Sequence, residues 1–290
     1  MEKIALMGLG KMGSALATRI LEGKLPLVVY NRTAGKAEEL IKLGAIEAIS
    51  LVEAVSDADI VVTCLLDDAA VLKVATEFLP CMKKNAVHVG TSTIQPATSN
   101  ELELLHAKHG SYYIAANVLG VPKVARAGKL TTLVAGSAGS ISRCRFLLET
   151  FSEHILEIGD KPANANVMKI SVNYILMTAL ELISELYVYS EKNNVDISYI
   201  QGMLHVIFAH PAVKLYIDKI KARDFDNVNF DMRGGAKDVA IFQKAFTSSC
   251  VAPELANVVS RRFSAAIAEG MENKDWSAIY EVIRTEAGLK

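Results

Sequence analysis

The chain reads as an α/β protein with a doubly wound, mainly parallel sheet in an N-terminal domain, a long interdomain helix, and an all-helical C-terminal domain. Three observations predict this. From Lys3 to about Gly159, short β-rich runs alternate with helical patterns, the order that yields a parallel sheet covered by helices. A glycine-rich turn follows the first of these runs directly. After Asp160 the strand signals vanish and long amphipathic helical patterns take over, which places the domains at 1–160 and 161–290.

Strands are expected at 4–7, 27–30, 60–64, 87–89, 112–115, 131–135 and 155–158. Helical stretches lie between them at 12–21, 37–43, 69–78 and 142–150. The segment 166–193 contains no proline or glycine and carries Ile170, Tyr174, Met177, Leu180, Ile183, Leu186 and Val188 at mostly helical spacing. It predicts one helix of about seven turns at 3.6 residues per turn. Further helices are expected at 198–208, 212–222, 236–246, 254–269 and 276–286.

Composition limits the function classes. A chain of 290 residues with 51% hydrophobic and 22% charged residues can bury a full core. Its net charge is −1 and it has no long basic run, so the electrostatic footprint of nucleic-acid binding is missing. No uncharged run of about 18 residues offers a membrane span, and the N-terminus carries no signal-peptide pattern. The expectation is a cytoplasmic protein with neither membrane nor nucleic-acid partner. Cys64, Cys81, Cys144 and Cys250 are scattered without CxxC spacing, so free, mostly buried thiols are expected. The histidines, among them His106 with His109 and His205 with His210, show no metal-ligand spacing, and no metal site is expected.

The strongest motif is Gly8-Leu9-Gly10-Lys11-Met12-Gly13, placed directly after the first strand and at the start of a helix. In that context glycines permit a tight turn, close backbone approach to a pyrophosphate, and tight packing of helix on strand. The helix N-terminus adds free N–H groups and the positive end of its dipole. This is the fingerprint of a Rossmann dinucleotide site. Preference for NAD usually needs an acidic side chain after the second strand to hold the ribose 2′-hydroxyl, but this chain has Asn31-Arg32-Thr33 there. A guanidinium at Arg32 can pair with a 2′-phosphate, with Asn31 and Thr33 adding hydrogen bonds, which points to NADP(H).

At this point the chain resembles the β-hydroxyacid dehydrogenase family, which includes 3-hydroxyisobutyrate dehydrogenase and the glyoxylate and succinic semialdehyde reductases. The resemblance covers nearly the whole chain. It rests on the glycine turn and Asn31-Arg32-Thr33, then Ser92-Thr93-Ile94-Gln95-Pro96, then Leu119-Gly120 with Ala127-Gly128-Lys129-Leu130-Thr131, then Lys169 with Asn173, and finally Lys237-Asp238. It implies a first domain of the 6-phosphogluconate dehydrogenase type and a homodimer or homotetramer.

It also implies that Lys169 is the catalytic lysine. Four residues on, Asn173 shares its helix face. A lysine ammonium can stabilise the negative charge that grows on a carbonyl oxygen during hydride transfer and can give up a proton to it. By the same resemblance Lys237 approaches the cofactor, Asp238 braces its helix, and Leu65, Leu66 and Thr93 complete the cofactor contacts. Leu65 and Leu66 read equally well as core residues at a strand end.

The departures concern the substrate. The substrate-binding segment is assigned to Asn117, Val118, Leu119 and Gly120. Where relatives carry Ser-Gly-Gly to grip a carboxylate, this chain has Leu119-Gly120-Val121, and Asn117 replaces the usual proline. The Gly-x-Gly ahead of the catalytic lysine is Ala163-Asn164-Ala165 here. The leading expectation is a reductase or dehydrogenase for a small aldehyde, ketone or hydroxy compound. The alternatives are an imine reductase, whose relatives usually lack the lysine, and a non-catalytic dinucleotide-binding module.

Overall fold

A computed structural model describes residues 2–208, 210–248, 250 and 252–289; the side chain at position 189 is also outside the description. The chain divides into two compact units, Met1–Lys169 and Ile170–Lys290.

The first unit is built on β1 (Ile4–Met7), α1 (Lys11–Glu22), β2 (Leu27–Tyr30), α2 (Glu38–Lys42), β3 (Ile46–Glu47), α3 (Leu51–Ser56), β4 (Ile60–Thr63) and α4 (Asp68–Phe78). These are followed by β5 (Val87–Gly90), α5 (Pro96–His109), β6 (Tyr112–Leu119), α6 (Pro122–Arg126), β7 (Leu130–Ala135), α7 (Ala138–Leu148) and β8 (Ser152–Gly159). The eight strands form one sheet in the order β3-β2-β1-β4-β5-β6-β7-β8. Every pairing is parallel except β6 with β7. Strands β1, β4 and β5 are buried along their whole length, and β1 and β4 accordingly read as near-continuous apolar runs instead of alternating ones. One apolar cluster covers each face. The order in which strands are added reverses between β1 and β4, and that switch point is where an open α/β sheet leaves a crevice at the carboxyl ends of its strands.

The structure adds elements that periodicity did not reveal. Strand β3 has only two residues, both exposed. Helix α5 begins with Pro96 in its first turn and ends at Gly110, whose φ of +72° supplies the left-handed cap, but its apolar residues keep to no single stripe. Strand β6 runs on to Leu119 because Asn117, Val118 and Leu119 pair with Leu133, Thr132 and Thr131 of β7.

The second unit is helical. Helix α8 (Ala163–Lys192) begins in the first unit and continues into the second, followed by α9 (Ile197–Ile207), α10 (Pro211–Ala222), α11 (Met232–Ser248), α12 (Glu254–Ala268) and α13 (Ile279–Glu286). Met177, Leu180, Ile183 and Tyr187 of α8 form one wall of a core completed by Phe242, Phe263 and Tyr280. Among the described residues α8 is the one helix long and apolar enough to cross a membrane by length and composition. It holds no uncharged run of 18 residues, because Lys169 and Glu181 interrupt its apolar stretch. A buried core helix has the same composition, and Glu181 is paired within this core, accepting from Arg262 at 2.7 Å. The thiols differ from the mostly buried set expected: Cys144 is buried, Cys64 and Cys81 are half-buried, and Cys250 is exposed.

Candidate active site

The glycine turn owes its shape to two contacts. Gly8 has a φ of +97°, and a Cβ there would lie 2.3 Å from the Cys64 carbonyl oxygen, so no L side chain fits. A Cβ on Gly13 would stand 1.9 Å from the Gly8 carbonyl oxygen, which is how closely the first turn of α1 packs onto the strand end. Gly10, at the N-cap of α1, faces open space, and no side chain caps the helix. The first-turn N–H groups, next to exposed Lys11 and half-buried Met12, therefore remain available to an anion. The turn fits a dinucleotide pyrophosphate.

The loop after β2 is tied to this turn. Asn31 Oδ1 accepts from the N–H of buried Leu9 at 2.9 Å, and Asn31 Nδ2 donates to the Thr33 carbonyl at 2.9 Å. These two bonds hold the loop to the glycine turn, and each end of the Asn31 amide keeps capacity for a further hydrogen bond. Arg32 and Thr33 are exposed. Beyond β4, the Leu65 N–H donates to Ser92 Oγ at 2.8 Å, while Leu66 is 67% exposed and so is not a core residue. Asp68 Oδ1 accepts from the Gln95 N–H at 2.8 Å and from Thr98 Oγ1 at 2.5 Å. These bonds tie the 92–95 loop, with half-buried Thr93, to the start of α4.

Lys169 joins the end of the sheet. Its Nζ donates to the Val118 carbonyl at 2.9 Å, so the first turns of α8 reach the last residues of β6. Asn117, fully buried, donates from Nδ2 to the Ser92 carbonyl at 2.8 Å, which links β6 to the Thr93 loop. Leu119 is half-buried and packs against the apolar cluster on this face. Gly120 adopts a φ of +132°, and a Cβ there would meet Leu130 at 2.7 Å. Within the first unit, Thr93, Asn117, Val118 and Lys169 are therefore connected through backbone carbonyls.

The second unit holds a separate polar chain. Asn173 Nδ2 donates to Asp238 Oδ2 at 3.2 Å, and Lys237 Nζ lies 2.5 Å from Asp238 Oδ1. Asp238 is 2% exposed, so it braces both groups from a buried position on α11. Asn173 follows Lys169 by four residues on the continuous helix α8.

Two polar groups escaped the sequence reading. His88 on β5 and His106 on α5 are both fully buried, with Nδ1 of His88 2.9 Å from Nε2 of His106. The chain extends to Thr63 Oγ1 at 2.8 Å on one side and to Ser111 Oγ at 2.9 Å on the other. Burial, and then the neighbouring His106, holds His88 well below the usual histidine range. Burial, and then the charge on His109, pulls His106 down to about 3. The second group is Asn166, 1% exposed, whose amide has no hydrogen-bond partner at either end. A polar residue interrupting an apolar helix face was the only signal available for it.

The chain matches two family models end to end. Residues 3–159 match the NAD binding domain of 6-phosphogluconate dehydrogenase, and residues 163–283 match the NAD-binding domain described for NADP-dependent 3-hydroxyisobutyrate dehydrogenase. An uncharacterized oxidoreductase of Bacillus subtilis (strain 168) is 32% identical over 285 residues, covering 97% of this chain and 100% of that protein. The fold is shared with 3-hydroxyisobutyrate dehydrogenase of Mycobacterium tuberculosis bound to L-serine, at a TM-score of 0.90 and 23% identity, over 98% of this chain and 99% of that one. An imine reductase from Pseudomonas sp. also shares it, at a TM-score of 0.65 and 19% identity, over 97% of this chain and 99% of the other.

Proposed function

Because the chain belongs to the β-hydroxyacid dehydrogenase family, we propose that it is an NADP(H)-dependent oxidoreductase acting on a small aldehyde or ketone, or on the corresponding hydroxy compound. A nicotinamide cofactor comes with the family; the preference for NADP(H) rests on exposed Arg32 in a loop that offers no carboxylate. Gly8, Leu9, Gly10, Lys11, Met12 and Gly13 would hold the pyrophosphate, with Asn31, Arg32 and Thr33 facing the ribose phosphate. Leu65, Leu66, Thr93 and Lys237 would complete the cofactor contacts.

The bound nicotinamide supplies or accepts the hydride. The observation that carries the assignment is Lys169 at the end of β6, with its ammonium on the Val118 carbonyl at 2.9 Å. That contact sets the ammonium at the end of β6, where a substrate oxygen would have to come within hydrogen-bond reach of it. It can stabilise charge growing on that oxygen and pass it a proton at Nζ; in the reverse direction it receives one. Asn173 would orient the substrate or the lysine, braced by Asp238. Retention of this lysine favours carbonyl chemistry over the imine reductase reading and over a module that only binds dinucleotide.

Asn117, Val118, Leu119 and Gly120 are assigned to the substrate. With Leu119 in place of a hydroxyl donor, a carboxylate has lost a side-chain partner and meets an apolar wall, so neutral carbonyl compounds should be preferred. NADPH oxidation with aldehydes, ketones and cyclic imines tests the reaction class. Comparison of kcat/KM for a neutral aldehyde and a carboxylate-bearing aldehyde of similar size, in the wild type and in Leu119→Ser, tests the substrate class. The serine should shift the ratio toward the acid by about tenfold. A wild type that strongly prefers the acid and ignores the mutation refutes this substrate assignment.

A further inference from the structure

Two buried amides beside the Lys169 link are left incomplete. Asn117 is fully buried and uses only its Nδ2, so its Oδ1 has no partner. Asn166 is 1% exposed and has no partner at Oδ1 or Nδ2. Native proteins rarely bury such groups unpaired, because each loses its water without a replacement.

Residues next to both belong to the cluster on one face of the sheet. Asn117 has the strand parity of Ala115 and pairs with Leu133, and both of those residues belong to the same apolar cluster as Ala165. Asn166 follows Ala165 directly and precedes Lys169 by three residues on the same helix. The lysine in turn donates to Val118, the neighbour of Asn117.

We propose that Asn166 and Asn117 form a binding subsite for a neutral group that both donates and accepts hydrogen bonds, such as a primary carboxamide. The proposal rests on the oxidoreductase reading above. Two amide oxygens ask for N–H or O–H donors, and a carboxylate has none to give. The Asn166 Nδ2 asks for an acceptor. A carboxamide satisfies both demands without bringing a charge into the interior. It can come from the nicotinamide ring or from the substrate, where a hydroxyl beside the reacting carbonyl has the same chemistry.

Asn166→Leu replaces the amide by an apolar group with the same number of heavy atoms and the same branching, and Asn166→Ala, which only deletes atoms, is the second variant. Without ligand, the leucine variant should melt about 2–4 °C above the wild type, since it relieves an unpaired buried amide. Calorimetric titration then identifies the source. If the ring carboxamide fills the subsite, the wild type binds NADP+ about tenfold more tightly than its 3-acetylpyridine analogue, which lacks the amide donors, and both variants lose that discrimination. If the substrate fills it, the variants bind both dinucleotides as the wild type does. They then lose about tenfold in kcat/KM for a hydroxyl-bearing carbonyl substrate relative to its deoxy analogue. Variants that match a working wild type in both comparisons overturn the subsite. A wild type that binds no dinucleotide and reduces no carbonyl compound overturns the oxidoreductase reading instead.

Discussion

Replacing Arg32 by alanine tests how this loop chooses its cofactor. Asn31, bonded to Leu9 and Thr33 at 2.9 Å each, is neutral, so charge recognition of a 2′-phosphate falls to Arg32. A hydrogen bond to a charged group contributes about 1.5–3 kcal/mol. Arg32 is exposed, and solvent screening moves the figure toward the lower end. At about 1.4 kcal/mol per decade, the NADPH Kd should rise about tenfold while the NADH Kd stays within about twofold. Arg32→Lys should recover part of the loss, since it restores the charge without the planar fork. The preference should also shrink as salt rises from 0.1 to 1 M, where the screening length falls from about 10 Å to about 3 Å. Isothermal titration with both cofactors at both salt concentrations supplies the numbers. Equal losses for NADPH and NADH in Arg32→Ala would show that the side chain shapes the loop and does not read the phosphate.

Lys169→Ala should fold and bind NADPH normally but lose most of its turnover, and Lys169→Arg should also be poor because a guanidinium does not readily release a proton. Single-turnover kinetics beside a cofactor titration would expose an error if the alanine variant kept near-normal rates. The buried histidines predict acid sensitivity. Their folded pKa values lie below the unfolded value of about 6.5, so the unfolded chain takes up protons that the folded chain refuses, and stability falls as pH drops through that value toward about 3. Each contributes up to about 1.4 kcal/mol per pH unit in that window, and a urea midpoint unchanged between pH 7.5 and pH 5 would contradict it. Tyr199, Met203, Val206 and Ile207 form an exposed apolar stripe along α9 with exposures of 57–75%, the kind of surface that a second copy covers. A homodimer or tetramer is expected, and light scattering that shows a monomer at micromolar concentration would refute it.

What could be read from the residues alone depended on how local the requirement was. The turn from Gly8 to Gly13 was legible because positive φ at Gly8 and close approach at Gly13 are demands that only glycine meets. The strand positions were legible because strands buried on both faces are mostly apolar in sequence, as in β1 and β4. The long helix was legible from its spacing, although it starts at Ala163, three residues before the expected Asn166. Commitments of polar side chains were not legible. Asn31 looks the same in sequence whether its amide meets a phosphate or the Leu9 N–H, and the meeting of His88 with His106 depends on α5 packing under β5.

The same distinction explains why the reaction class is easier to read than the substrate. Hydride transfer to a carbonyl needs a nucleotide turn and a proton donor, and both are set by short motifs at fixed places in the chain. Substrate choice depends on which buried polar atoms remain unpaired once the fold has used the others. Ser92, Asn117 and Lys169 all lie near the end of β6, yet the Ser92 carbonyl and the Val118 carbonyl consume one donor from Asn117 and one from Lys169. What remains is the oxygen of Asn117, the whole amide of Asn166, and the apolar flank of Leu119. That remainder is neutral and rich in acceptors. It favours a ligand that brings its own N–H or O–H groups.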